Sequence, residues 1–273
     1  MSWLAVRVRA GSAREAALAA LFELGSQGVQ ESGEELVTHF PDDVDAAAVV
    51  AHLRSVVPDA SVSTALVPDV DWAEEWKKGV RAHDLGMLSI VPPWLAGGRD
   101  PERTIVIEPE MAFGTGEHQT TRGVVRLLPA LLRPGDRVAD LGAGSAVLSI
   151  AAAKLGAEQV FAIELDHDSI ANANENVVRN GVADRVTVLE GDAGVLLPLV
   201  APVRVVLANI LSSVLLELLS VIAGALTPDG EAILSGILLD ERPMMVDALA
   251  GAGWRIVVED VEGSWWTVRV ARP

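Results

Sequence analysis

The sequence contains no cysteine, so neither a disulfide framework nor a metal site built on thiolates is available to it. It also has no uninterrupted apolar run of about 18 residues, which is the length that a membrane-spanning helix requires. Residues 1–9 alternate polar and apolar side chains, whereas a signal peptide carries a continuous apolar segment. We therefore expect a cytoplasmic protein without membrane attachment.

Basic residues are scarce relative to acidic ones, with 21 lysines and arginines against 38 aspartates and glutamates and a formal net charge of −17. A nucleic-acid backbone is bound through a basic face, so we expect no direct binding to nucleic acid. The acidic surface can serve solubility alone, or it can speed the encounter with a basic protein partner. Composition leaves both interpretations open.

Length and composition suffice for a large domain and a small one, since the chain has 273 residues and 50% of them are hydrophobic. Residues 1–67 predict the small domain, with strands and helices in the order βαββαβ. These elements are expected at 3–9, 12–24, 28–31, 36–40, 44–56 and 60–67. The order is typical of an α+β ferredoxin-like sandwich. Because this segment contains no catalytic constellation, we expect a role in recognition, with packing or dimerisation as the alternative.

Residues 68–97 differ in character and predict a structured linker between two domains. Trp72 and Trp76 fall on one face of a short amphipathic helix at 71–79, and residues 86–91 predict a strand. We interpret the two tryptophans as packing residues, with binding as the alternative.

Residues 98–273 predict an α/β domain, because strands and helices alternate from Thr104 onward and such alternation implies a parallel sheet covered on both faces. Seven strands are expected, at 137–141, 159–165, 185–190, 203–208, 231–235, 255–261 and 266–270. Helices are expected to begin near Ser145, Asp168, Ser212 and Asp240. Only Glu262, Gly263 and Ser264 separate the last two strands, which must therefore form an antiparallel hairpin.

The segment from Asp140 to Gly144 predicts a nucleotide-sized pocket at the end of the first strand of this domain. Gly142 and Gly144 let the backbone approach a ligand closely, and the helix that follows directs its free N–H groups to the same place. A dinucleotide fingerprint needs glycine or alanine at position 147, which here is valine. The pattern instead resembles motif I of S-adenosylmethionine-dependent methyltransferases, and the seven strands with a reversed last strand resemble the Rossmann-like class I enzymes of that superfamily.

That resemblance implies roles for two acidic residues after the next two strands. Glu164 lies where the family holds the ribose hydroxyls, and Asp192 lies where it contacts the adenine amino group. The spacing of Glu164 from Gly142 suits either a dinucleotide or a methyl donor, so it does not distinguish them.

A glycine-rich segment at 107–121 contains the pattern G-T-G-x-H-x-T-T, ending at Thr121. Together with residues 208–211 after the fourth strand and 234–238 in the fifth, it resembles the methyltransferases that modify large-subunit ribosomal protein eleven, over essentially the whole chain. The resemblance implies a monomeric enzyme that transfers methyl groups from S-adenosylmethionine to lysine side chains and the α-amino group of that protein, which the N-terminal domain presents. It assigns cofactor contacts to Thr121, Gly142, Glu164 and Asn209. The family usually has glycine at Ala146 and aspartate at Glu164.

Methyl transfer to an amine depends on proximity and alignment, so we expect neither a metal nor a covalent nucleophile. The candidates for the acceptor site are Phe113, Thr115, Asn209, Ile210 and Trp265, with Asn209 orienting the amine and the aromatic rings sheltering it. We expect one of Trp265 and Trp266 to have a functional role, with hydrophobic packing of both on the terminal hairpin as the alternative. We interpret His118 as a residue that orders the loop, with proton transfer as the alternative.

Two other functions stay open. One is a class I methyltransferase acting on another protein or on a nucleic-acid base, although base methyltransferases favour an Asn-Pro-Pro-aromatic loop where this chain has Asn209-Ile-Leu-Ser. The other is a non-catalytic cofactor-binding or assembly module, against which the intact segment from Phe113 to Thr121 argues.

Overall fold

The computed structural model describes residues 2–26, 28–67, 80–108 and 116–272. The chain divides into two compact units, Met1–Gly79 and Val80–Pro273. Residues 80–97, which the sequence predicts as part of a linker, cluster with the second unit. Residues 68–79, with Trp72 and Trp76, lie outside the described residues, as do residues 109–115.

The first unit has the predicted ferredoxin-like topology. Its elements are β1 (Trp3–Arg9), α1 (Arg14–Glu23), β2 (Gln30–Ser32), β3 (Glu35–Pro41), α2 (Ala46–Val56) and β4 (Ser61–Val67). The strand order is β2-β3-β1-β4 with every neighbouring pair antiparallel. Alternate residues of β1, including Val6 and Val8, are fully buried against residues of the two helices such as Leu21 and Leu53. The alternation of the sequence therefore sets which face of this sheet is covered.

The second unit begins with a small three-stranded sheet, made of β5 (His83–Asp84), β6 (Ser89–Val91) and β7 (Thr104–Val106). β6 pairs antiparallel with β5 and parallel with β7. Residues 80–97 are thus joined by strand pairing to residues that the sequence assigns to the α/β domain.

The main sheet has seven strands, as predicted. The elements are α3 (Gln119–Leu127), β8 (Arg137–Leu141), α4 (Val147–Lys154), β9 (Gln159–Glu164), α5 (His167–Arg179), β10 (Val186–Glu190), α6 (Ala193–Val200), β11 (Val203–Asn209), α7 (Ser212–Ala225), β12 (Leu226–Leu238), α8 (Arg242–Gly251), β13 (Arg255–Glu262) and β14 (Trp265–Ala271). The order is β10-β9-β8-β11-β12-β14-β13. β14 runs opposite to the other six strands of this sheet and is antiparallel to both β12 and β13, as the short 262–264 connection predicts for the last two strands. Two apolar clusters cover the two faces of the sheet.

The strand order reverses beside β8, which pairs with β9 on one side and with β11 on the other. In open parallel sheets this reversal leaves a crevice at the carboxyl ends of the strands, where ligands bind. The residues that follow β8, β9, β10 and β11 therefore meet at one edge. No helix among the described residues combines the length and the apolar character needed to span a membrane.

Several elements differ from the sequence prediction. No bounds were predicted for β5, β7 or α3, and β12 begins at Leu226 instead of residue 231. α6 was not expected, because its sequence is apolar all round and contains Pro198, so it lacks helical periodicity. The helix after the glycine loop begins at Val147 and not at Ser145, because Ala146 adopts a left-handed conformation with φ of 63°.

Candidate active site

A cavity of about 580 Å³ opens at the switch point of the main sheet. Its volume lies within the range of roughly 300–1,000 Å³ that is usual for small-molecule sites. The loops after β8 to β11 contribute most of its lining, together with one face of α7. The lining residues include Gly142, Glu164, Leu165, Gly191, Asp192, Ile210, Leu211, Val214 and Leu218. We call it the donor cavity.

The glycine loop forms one wall of the donor cavity and is held by β9. The N–H groups of Gly142 and Ala143 both donate to the Ile163 carbonyl, at 2.9 and 3.1 Å. Gly142 has φ of 69°, and a Cβ at this position would lie under 3.0 Å from the Ile210 side chain. Glycine is therefore required at 142 both for its backbone conformation and for space.

Glu164 ends β9 and is buried at the base of the loop. One carboxylate oxygen accepts from the Gly144 N–H at 2.7 Å, and the other accepts from the Asp166 N–H at 2.8 Å. Each oxygen retains a further lone pair. Through these two hydrogen bonds the Glu164 side chain ties the glycine loop to the start of α5, and it also lines the donor cavity.

Asp140 is fully buried beneath the loop and accepts a hydrogen bond of 2.7 Å from the Ser149 hydroxyl. Burial raises its pKa to about 7, the Ser149 hydrogen bonds oppose this, and the nearby Glu164 charge adds to it. Its Oδ1 has no hydrogen-bond partner within the described part of the chain. Asp140 therefore supplies an acceptor, and a negative charge above neutral pH, directly under the loop.

Asp192 follows β10 and caps α6. Its carboxylate accepts from the Val195 N–H at 3.1 Å. The preceding Gly191 has φ of 150°, and its N–H donates to the Glu164 carbonyl. Asp192 is thereby fixed at the side of the donor cavity that lies farthest along the sheet from β11.

A second cavity of about 260 Å³ adjoins the first and has a mostly apolar lining. It is lined by His118, Thr120, Asn209, Ile210, Leu211, Gly236 and Trp265. We call it the acceptor cavity. Ile210 and Leu211 line both cavities and so form a wall that the two share.

Asn209 ends β11 at the junction of the site. Its Nδ2 lies 3.4 Å from the hydroxyl of Thr121, a fully buried residue of α3. Its Oδ1 is buried and has no hydrogen-bond partner among residues 2–26, 28–67, 80–108 and 116–272. The Thr121 contact orients the amide, and the oxygen keeps its capacity to accept.

His118 and Trp265 form the opposite side of the acceptor cavity. Their rings meet edge to face with centroids 4.8 Å apart, and His118 Nδ1 lies 2.7 Å from the Thr120 hydroxyl. Burial lowers the pKa of His118, and the Arg122 charge lowers it further, so the imidazole is neutral at pH 7. Trp266, by contrast, is fully buried and donates through Nε1 to Glu259.

Two arginines of α3 fasten this side of the site to the terminal hairpin. Arg122 pairs with Glu262 and also donates to the carbonyls of Gly116 and Glu117. Arg126 bridges Asp260 and Glu262. The end of the glycine-rich segment is therefore tied to the strand pair that carries Trp265.

Most of the residues predicted from the sequence lie around these two cavities or directly beneath them. Gly142, Glu164, Asp192 and Asn209 line a cavity, Trp265 lines the acceptor cavity, and Gly144, Asp140 and Thr121 support the lining residues. Phe113 and Thr115 lie outside the described residues. Sequence reasoning gave no site role to several lining residues, among them Leu211 and Gly236. An isolated glycine inside a strand pattern, as at 236, signals a close backbone approach and would have indicated the second of these.

Comparison with known proteins places this site in a family. The model of the ribosomal protein L11 methyltransferase family (PrmA) matches residues 3–273. The ribosomal protein L11 methyltransferase of Thermus thermophilus is 38% identical over 248 residues, which are 91% of each chain. That of Pelotomaculum thermopropionicum is 41% identical and covers 80% of this chain and 71% of its own. The crystal structure of a ribosomal protein L11 methylase from Lactobacillus delbrueckii subsp. bulgaricus superposes with a TM-score of 0.63 at 32% identity, and covers 70% of this chain and 98% of that one. The chain therefore belongs to the ribosomal protein L11 methyltransferase family.

Proposed function

We propose that this protein transfers methyl groups from S-adenosylmethionine to lysine side chains and to the α-amino group of ribosomal protein L11. The names of its relatives indicate the protein substrate. The observation that carries the proposal is the pair of adjoining cavities with Ile210 and Leu211 as a shared wall. A methyltransferase needs two such sites side by side, one for the methyl donor and one for the amine that accepts the methyl group.

The residues of the donor cavity fit a ligand with a nucleoside and an amino-acid end. The positive-φ glycine loop allows close approach, and directly beneath it the Oδ1 of Asp140, which has no hydrogen-bond partner among the described residues, supplies a buried acceptor for a donor group. We assign donor binding to Thr121, Asp140, Gly142, Gly144, Glu164, Asp192 and Asn209. S-adenosylmethionine bound there would supply a methyl group activated by its sulfonium.

The acceptor cavity supports deprotonation of an incoming amine. A lysine with a pKa of about 10.4 is charged at pH 7, and reaching the neutral form costs roughly 4.6 kcal/mol. The apolar lining disfavours the ammonium form. The neutral imidazole of His118 adds no charge to the cavity, and Asn209 Oδ1 can accept from the amine and direct its lone pair.

The aromatic residues complete the proposed acceptor site. The Trp265 ring lines the cavity, where it can attract a methylated ammonium product with about 0.5–2 kcal/mol. We also assign Phe113 and Thr115 to this site from the family pattern. The protein is proposed to act as a cytoplasmic monomer without binding nucleic acid, and its net charge of −17 favours a basic protein substrate.

The test uses purified protein, donor labelled in the methyl group, and a whole ribosomal-protein extract. We expect label in ribosomal protein L11. Asn209→Ala should lower turnover about tenfold to a hundredfold, because amine alignment is lost, while calorimetry should show a smaller loss of affinity for S-adenosylhomocysteine. The matched control is Asn174→Ala, an exposed asparagine of α5, which should keep full activity.

Each other outcome has a defined meaning. Undiminished turnover by Asn209→Ala would remove Asn209 from the mechanism. Label in a different protein or in RNA would indicate another class I methyltransferase activity. No label in any component would indicate a non-catalytic cofactor-binding module.

A further inference from the structure

The segment from Asn209 to Ser212 is anchored on the side away from the glycine loop by Gly236, which lines the acceptor cavity, and by Glu241, which has no place in the proposed function. It connects β11 to α7 and carries the shared wall of the two cavities. Two contacts hold this segment. One is with Gly236, near the end of β12, and the other is with Glu241, which follows β12.

Gly236 holds the backbone of the wall residue. It has φ of 81° near the carboxyl end of β12, and a Cβ at this position would lie 3.0 Å or less from the N, C and O atoms of Ile210. The β12 backbone thus passes directly against the Ile210 backbone. The Ile210 side chain in turn covers Gly142. Ile210 is therefore enclosed between Gly142 and Gly236, and neither position has space for a Cβ atom.

Glu241 joins the far end of the segment to the same strand. One carboxylate oxygen accepts from the Ser212 hydroxyl at 2.9 Å, and the other accepts from the Leu238 N–H at 3.0 Å. Ser212 is buried and is the first residue of α7, while Leu238 is the β12 residue paired with Trp265. One carboxylate therefore connects both sides of the acceptor cavity, the Asn209 side and the Trp265 side.

We propose that Glu241 is a positioning residue for methyl transfer, which holds the Asn209–Ser212 segment against the β12–β14 strand pair and so fixes the width of the acceptor cavity. This inference rests on the proposed function, because it concerns the same acceptor site. Glu241 lines neither cavity, so it acts through Ser212 and Leu238.

The test compares Glu241→Ala with Glu241→Gln and with Asp229→Ala. Alanine removes both hydrogen bonds, whereas glutamine can accept from the Leu238 N–H and donate to the Ser212 hydroxyl. Asp229 is the matched control, because its carboxylate also accepts two hydrogen bonds, here from the side chains of Arg133 and Thr227, and it lies near the opposite end of β12.

We expect Glu241→Ala to lower kcat about tenfold or more, since a displacement of about 1 Å in an aligned site costs up to a hundredfold. The affinity for S-adenosylhomocysteine should fall less than kcat, because the glycine loop, Glu164 and Asp192 are anchored separately. Glu241→Gln should recover most of the rate, and Asp229→Ala should keep it. In hydrogen exchange, peptides that cover 209–216 should exchange faster in Glu241→Ala and not in Asp229→Ala.

Wild-type turnover by Glu241→Ala, or unchanged exchange over 209–216, would overturn the proposal, as would a loss of rate that glutamine does not restore. If Glu241→Ala fails to fold, Ser212→Ala removes one of the two connections and should lower kcat in the same direction; an unchanged kcat in that variant would also overturn it. If the wild type methylates nothing, the proposed function fails, while the exchange measurement still decides whether Glu241 holds the segment.

Discussion

Replacing Asp140 with asparagine should make the protein more stable relative to wild type as the pH rises. Burial raises the pKa of Asp140 from 3.8 to about 7, so the folded state favours the protonated carboxyl group. Between these two pKa values the folded state binds more protons than the unfolded state. The free energy of unfolding of the wild type therefore falls as the pH rises through this window, and the fall is complete above about pH 7.

The size of the effect follows from the shift. About three pH units at 1.36 kcal/mol each correspond to about 4 kcal/mol in full. Part of this loss of wild-type stability has already occurred at pH 5, so about 2–3 kcal/mol of it should occur between pH 5 and pH 8. Asparagine keeps the shape of the side chain and an oxygen that can accept from the Ser149 hydroxyl. The variant therefore isolates the charge.

The assay is urea unfolding of wild type and Asp140→Asn at pH 5 and pH 8. The quantity of interest is the change with pH in the difference between their unfolding free energies, which cancels the titration of all other groups. We expect the unfolding free energy of Asp140→Asn, relative to that of wild type, to rise by about 2–3 kcal/mol between pH 5 and pH 8. Asp247→Asn, an exposed aspartate of α8, serves as the control and should gain little. A difference that does not change with pH, or changes in the opposite direction, would refute the assigned burial of a charge under the glycine loop.

Two further predictions concern the same loop. Gly142→Val should abolish binding of S-adenosylhomocysteine in calorimetry, because a side chain at 142 is strained at φ of 69° and collides with Ile210; unchanged affinity would remove the loop from the donor site. Ala146→Gly should change the unfolding free energy by less than about 1 kcal/mol, because relief of the left-handed strain is offset by a lost buried methyl and by chain entropy. Ala146→Val should cost more than about 2 kcal/mol by the same unfolding assay, since a β-branched residue is an outlier at positive φ. Equal stability of the glycine and valine variants would contradict this account.

The strands of the main sheet could be predicted from the sequence because each is a short apolar run bounded by turn residues. The strand at 137–141 has the predicted bounds, and the hairpin follows from the short connection at 262–264. α6 could not be predicted in this way. Its apolar residues follow no period, and tertiary packing of Leu197 against the sheet decides its conformation.

The polar residues of the site were predicted from the family resemblance, and the sheet topology explains why they meet. Glu164 and Asn209 end parallel strands and Asp192 follows one, and the carboxyl ends of these strands lie at one sheet edge. The roles of Asp140 and Glu241 depend on which groups surround them. Full burial of Asp140 and the two bonds of Glu241 arise from contacts between distant segments, for which the sequence contains no local signal.

Ala146 is the position in the glycine loop at which the family resemblance predicts glycine. In the structure this alanine has φ of 63° and is fully buried. Steric crowding of a ligand is therefore not the main consequence, because the methyl group points into the core cluster instead of a cavity. The cost lies in backbone conformation and is partly offset by packing. The loop can consequently keep the geometry that its glycines impose, and the substitution is expected to affect stability more than donor affinity.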